Sequence, residues 1–266
     1  MSGIEALWAN PAVQATAWAL VHFLWQGAVV GLAAAGALAI LRNGSASVRY
    51  SVAMAALLVL LACPVITALW IGGAPEERLA REAVAIPAPA PEGAGAPAPA
   101  ALTAPVLSSG IQDLFPAALP WGFALWLMGV AALSVYHLGG LYQTRVWTRH
   151  GTRPVSEEWE AKLSVLARRL GVGRKVGVME SAAAQVPAVI GWLRPVILVP
   201  ASALAGLSPR QLEAILAHEL AHVRRHDYLI NLLQTVVETL LFYHPAVWWV
   251  SAQVRREREN CCDDMA

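Results

Sequence analysis

Apolar positions dominate the first half of the chain and come in three long stretches. Residues 11–41, PAVQATAWALVHFLWQGAVVGLAAAGALAIL, contain no charged residue. That run exceeds the roughly 20 residues needed to cross a hydrocarbon core. Nothing basic precedes it and Glu5 is the only charge there, which is unlike a secretory signal peptide. A second run, Tyr50–Ile71, carries Pro64 inside it, tolerable in a span whose neighbours satisfy the freed carbonyl. A third, Leu119–Leu141, has Trp121 and Trp126 near one end and Tyr136 and Tyr142 near the other, as interfacial belts do. Between the second and third, the stretch APAPAPEGAGAPAPAALTAP is too rich in Ala, Pro and Gly to build a core and reads as an extended loop.

The pattern changes after residue 144. SEEWEAKLSVLARRLG (156–171) reads as an amphipathic helix, with Ser156 as N-cap and Gly171 just past its end. KVGVME (175–180) alternates like a strand. VPAVIGWLRPVILVP (186–200) reads as one or two strands broken by Gly191 and Pro195. Ser208, Pro209 and Gln211 form a capping box that opens the next helix. Tyr228–Val250 is apolar again but carries Asn231, Gln234, Glu238 and His244. It fits a fourth span, a re-entrant helix or a buried helix. The charged segment SAQVRRERENCCDD (251–264) then reads as a helix returning toward the preceding one.

Composition agrees with a membrane protein. Hydrophobic residues make up 57% of the chain and charged residues 14%, against about 25% charged in soluble domains. Lys plus Arg (19) and Asp plus Glu (18) leave a net charge of +1, which argues against direct nucleic-acid binding. Cys63, Cys261 and Cys262 make no disulfide framework. Basic residues near span ends set orientation. Arg42 and Arg49 bracket the first loop, Arg145, Arg149 and Arg153 follow the third span, and the Pro-rich loop is acidic. The expected layout is therefore two transmembrane helices with a short cytosolic loop (1–72), an extracytoplasmic loop (73–118), a third transmembrane helix (119–143) and a cytosolic domain (144–266). The N-terminus lies outside. The fold class is an α-helical polytopic membrane protein with a cytosolic α+β domain.

The chemistry sits in the helix after Ser208. His218-Glu219-Leu220-Ala221-His222 is an H-E-x-x-H pattern. Two His four residues apart share a helix face, so both imidazoles can reach one zinc ion, and Glu219 can take a proton from a water at the open position. A third protein ligand is needed. His226, Glu238, His244, Glu257, Glu259, Cys262 and Asp263 are the candidates. His226 lies about 12 Å along the helix axis from His218, too far for one straight helix to wrap the ion, and no Gly turns the chain back. Glu259 and Asp263 are four apart and share a face. One can bind metal while the other orients a His. Spacing alone leaves open whether they instead pair with nearby Arg residues. The segment containing Val189, Ile190 and Gly191 offers a strand edge that could hold an extended substrate. His22, within the first run, is expected to make a polar contact to another helix.

These segments together carry a resemblance. HFLWQG (22–27), VPAVIGWLRPVILVP, LAHELAHVRRHDYLIN (216–231), FYHPAVWW (242–249) and ERENCCDD (257–264) resemble the signatures of the BlaR/MecR antirepressor metallopeptidases. Those are bacterial inner-membrane gluzincins that answer an outside signal by cleaving a cytosolic repressor. The resemblance implies Glu259 as third zinc ligand, Asp263 as supporting acid, and His218, His222 and Glu219 in the roles given above. It implies a gluzincin-like zinc endopeptidase domain, expected to be truncated at its C-terminus. A protein substrate, by resemblance a cytosolic repressor, would be its partner, beside the lipid bilayer and a second copy of the chain; self-cleavage is a further product. A quality-control membrane protease would share the same site. A zinc-containing receptor or scaffold would not need Glu219.

Overall fold

The computed structural model describes residues 8–73, 109–149, 151–191 and 193–266. Most of the Ala/Pro-rich loop expected over 73–118 lies outside those residues. Among the described residues, three helices are long and apolar enough to cross a membrane. They are α1 (Pro11–Ile40), α2 (Ala46–Gly72) and α3 (Ser109–Arg149), with a 3-10 turn, Leu41–Asn43, after the first. Helix α3 outruns the expected 119–143 at both ends. Its hydrogen-bond ladder continues through polar residues after the apolar stretch of Ala118–Gln143 has ended. Pro64 sits inside α2 without breaking it.

The chain divides into two compact units. One holds residues up to Gln26 and Ala62–Met128. Within it Ala15, Ala19 and Phe23 of α1 are buried, and Gln26 Nε2 donates to Thr67 Oγ1 at 3.1 Å. His22 accepts from Trp25 Nε1 on its own helix at 3.4 Å, not from a neighbouring helix as expected. A Trp three residues away lies on the same helix face and is the nearer donor.

The second unit holds Gly27–Leu61 and Gly129–Ala266. Its sheet has the order β1-β2-β4-β3. Strand β1 is Thr152–Pro154, β2 Gly177–Ser181, β3 Ala188–Ile190 and β4 Val196–Pro200. The central pair β2/β4 is parallel; β1 and β3 flank it antiparallel. Helix α4 (Glu157–Arg169) and, after the short α5 (Ala201–Gly206), helix α6 (Pro209–Arg225) cover it. Leu163, Val178, Ile197, Val199, Leu212, Leu216 and Leu220 form the core between them. Leu212, Leu216 and Leu220 recur every fourth residue, so α6 turns one stripe to the sheet. His218 and His222 lie two residues further round, on a different face.

Helix α6 opens with the capping box Ser208–Gln211. It ends at His226, whose φ of 60° is left-handed. Helix α7 (Asp227–Leu240) starts at once, and after a short turn α8 (Pro245–Asp263) runs back beside it. His244 caps α8, its Nδ1 accepting from Ala246 N at 3.1 Å. The hairpin is cross-linked by buried polar groups. Gln234 Nε2 donates to Ser251 O at 2.9 Å and to Ser251 Oγ at 2.7 Å, while Ser251 and Arg255 both bond Glu238. Such groups fix the register of two helices that an all-apolar seam would leave free to slide.

The tip of this hairpin packs on glycines. A Cβ on Gly27 of α1 would stand 2.7 Å from His244 Nε2, and one on Gly31 would stand 2.7 Å from Ala246 Cβ. A Cβ on Gly129 of α3 would overlap the Phe242 ring. No side chain larger than hydrogen fits at these approaches. The segment 228–250 therefore forms a hairpin, not a straight helix.

Candidate metal centre

The hairpin brings the end of α8 beside the middle of α6. His218 Nε2 and His222 Nε2 lie 3.2 Å apart. Glu259 Oε2 lies 3.5 Å from the first and 3.3 Å from the second. Four ligands around a tetrahedral zinc at about 2.0–2.1 Å would be separated by about 3.3–3.4 Å. The three donor atoms already stand at that spacing, and their atoms fall into one candidate metal group. Bringing two imidazole nitrogens and a carboxylate oxygen to one point, with no donor hydrogen required between them, suits a cation. The residues present fit zinc.

Each imidazole is held from behind. His218 Nδ1 meets Asp263 Oδ1 at 2.9 Å, and His222 Nδ1 meets Asp227 Oδ2 at 2.7 Å. Such bonds place the ring hydrogen on Nδ1 and turn the Nε2 lone pair toward the centre. The two acids differ in setting: the Asp263 side chain is 69% exposed, that of Asp227 only 6%. The resemblance implied the supporting role for Asp263 and gave Asp227 none. The structure puts both behind a ligand His and buries the unassigned one. The left-handed residue that carries the chain from α6 into α7 is what lets Asp227 reach back five residues to His222. The only signal for it was an Asp directly after the helix.

Glu219 lies in the same cleft, and burial holds its carboxyl above the ordinary range despite the two nearby imidazoles. For His222, burial pulls the pKa down, but the Asp227 hydrogen bond and nearby Glu259 outweigh it and leave it raised. Cys262 Sγ is 3.3 Å from His222 Nδ1 and 3.5 Å from Asp227 Oδ2. Burial and then Asp227 push its thiol well up, and Sγ donates to Asp227 Oδ2. His226 and Asp227 line the cleft, whereas Glu257 and Glu238 are engaged elsewhere, with Arg49 and Arg255.

A cavity of about 240 Å³ opens beside these donors. Val189, Gly191, Glu219, His222, Tyr228 and Arg258 are among its walls. Strand β3 is the outer strand of the sheet, and among the described residues nothing pairs with its free edge. Val189 in β3 and Gly191 just after it line the cavity, and Ile190 is not part of its wall. Gly191 has φ 86°, and a Cβ there would stand 2.8 Å from Arg194 O.

The family profile described as BlaR1 peptidase M56 matches residues 116–266, more than half of the chain. The chain belongs to the M56 peptidase family. It is 26% identical over 141 residues to the regulatory protein BlaR1 of Bacillus licheniformis, an alignment covering 53% of this chain and 23% of that protein. It is 29% identical over 77 residues to the methicillin resistance mecR1 protein of Staphylococcus aureus, covering 29% of this chain and 13% of the relative. The Staphylococcus epidermidis protein of the same name matches equally. The aligned part thus spans less than a quarter of these relatives. Within the M56 match fall every donor, Glu219, Asp227 and the strand edge.

Proposed function

We propose that this M56 protein is a zinc endopeptidase working at the cytosolic face of a bacterial inner membrane. Its substrate is a cytosolic transcriptional repressor, cut in response to a signal, with self-cleavage at the same site. The observation that carries the reading is the convergence of His218, His222 and Glu259 at zinc spacing, with an aspartate behind each imidazole.

His218 Nε2, His222 Nε2 and Glu259 Oε2 would hold the ion. Zinc in such a site supplies a water of lowered pKa and polarises a carbonyl. Asp227 and Asp263 fix the ring orientations of the two His. Glu219, one residue from His218, takes the proton from the attacking water and passes it to the leaving amine nitrogen. Burial raises its pKa, which makes the carboxylate a stronger base than an exposed one. The free edge at Val189–Gly191 lays an extended substrate along the cleft by strand addition.

The orientation rests on charge. Arg42, in the turn after the first span, and Arg49, in the first turns of the second, flank the loop between them, and the zinc domain follows the arginines after the third. The same rule leaves the N-terminus and the loop over 73–118 outside. Tyr228, Leu229, Leu232 and Val236 form an exposed apolar stripe on α7. That stripe suits lipid and favours a hairpin that enters the membrane from the inside without crossing it.

The test is a comparison of new protein N-termini in cells carrying wild type or Glu219→Gln. One cytosolic repressor cut only in wild type supports the reading. Many cut membrane proteins would point instead to quality control. No difference under envelope stress would remove the protease assignment.

A further inference from the structure

The start of the second span touches both helices that carry the candidate metal donors, and the proposed reaction gives it no task. Arg49 donates from Nε to Glu257 Oε2 at 2.9 Å, and a terminal nitrogen lies 2.9 Å from the same oxygen. The other terminal nitrogen bonds the carbonyl of Gly44, which anchors the guanidinium to the loop. Asn260 donates to the same Glu257 oxygen at 3.0 Å. An exposed ion pair would contribute little. Here the two side chains are only 19% and 9% exposed, three donors share one oxygen, and the link joins residues 208 positions apart.

Glu257 precedes Glu259 by two residues, about 200° round the helix. Arg49 therefore grips one side of α8 while the opposite side presents Glu259 to the two His. The next residue on α2 touches the other ligand helix. The Arg225 guanidinium lies over the Tyr50 ring, 4.6 Å from its centroid. Arg225 Nε faces Asp227 Oδ1 at 3.5 Å, and Asp227 holds His222. Two adjacent residues of α2 thus contact both helices that supply donors.

We propose that Arg49 is a positioning residue for the metal centre: by holding Glu257 it sets the rotation and height of α8, and so where Glu259 stands relative to His218 and His222. A displacement of the second span then reads out directly as a change in metal affinity. The inference rests on the zinc reading given above.

The test measures zinc affinity of the purified full chain in lipid nanodiscs, by competition with a chromogenic chelator. Arg49→Gln should weaken binding about tenfold, within the range for residues that orient a ligand. The charge exchange, Arg49→Glu with Glu257→Arg, should recover most of the loss. The deciding measurement is a double-mutant cycle. In a Glu259→Ala background, Arg49→Gln should cost no further affinity, because it acts through the missing carboxylate. An equal loss in both backgrounds would mean a general effect on folding and overturn the inference. So would Arg49→Gln binding within twofold of wild type, or an exchange no tighter than the single variants. If wild type holds no zinc, or Glu259→Ala binds as tightly as wild type, the zinc reading itself falls and takes this one with it.

Discussion

Asp227 gives the sharpest test of how the centre is built. Asp227→Asn keeps the shape and an oxygen acceptor for His222 Nδ1 at the position now 2.7 Å away, but removes the negative charge. Asp263→Asn makes the same change behind His218, where the carboxylate is 69% exposed and not 6%. At equal separation, an effective dielectric near 20 rather than 80 makes a charge interaction about four times larger. Loss of a supporting acid usually lowers metal affinity about 10- to 100-fold, or about 1.4–2.8 kcal/mol. Asp227→Asn should fall in that range. Solvent screening reduces the Asp263→Asn effect to about 0.3–0.7 kcal/mol, a factor of about three or less. Competition titration with a chelator on the solubilised full chain would measure both, with far-UV circular dichroism to check folding. The reasoning fails if Asp227→Asn binds zinc within twofold of wild type, or if Asp263→Asn is the more damaging change.

Glu219→Gln should retain one equivalent of zinc and lose about 10²–10⁴-fold in peptide hydrolysis, the usual share of general acid–base catalysis. Cleavage of a peptide library read by mass spectrometry would show it, and undiminished turnover would sink the mechanism. Glu259→Ala should lose most of its bound zinc by elemental analysis; full occupancy would refute the ligand assignment. Gly191→Ala forces a side chain into a left-handed backbone against Arg194 O. That strain costs about 1–2 kcal/mol. Zinc content should hold while KM for peptides rises, and an unchanged KM would remove the strand edge from substrate binding.

What could be read in the chain was whatever repeats locally. The capping box at Ser208 and the i, i+4 pair His218/His222 are short-range patterns, and both lie on α6 as spaced. The break of 186–200 at Gly191 and Pro195 became β3 and β4. The α6–α7 junction was hidden, because a His and not a Gly takes the left-handed conformation there. That concealed Asp227, since a helix continued through 226 would carry it away from His222. Strand β1, three residues long, has no period to detect and exists only by pairing with β2. The Arg49–Glu257 link joins distant positions and left no trace in local spacing. Glu257 stood among the candidate ligands by residue type, but two residues from Glu259 it faces the other side of α8, where it meets Arg49.

The glycine seats at Gly27, Gly31 and Gly129 make helix lengths interdependent. From Gly27 to the end of α1 at Ile40 is 13 residues, and from His244 to Glu257 is 13 again. Both are about 20 Å of helix. The hairpin is pinned at its tip by His244 on Gly27 and at its base by Glu257 on Arg49. One added turn in α8 alone would carry its base about 5.4 Å past the arginine. An insertion or deletion between residues 28 and 42 is therefore tolerable only alongside a matching one between 245 and 256. Within the family these two stretches should lengthen and shorten together, although they lie some two hundred residues apart.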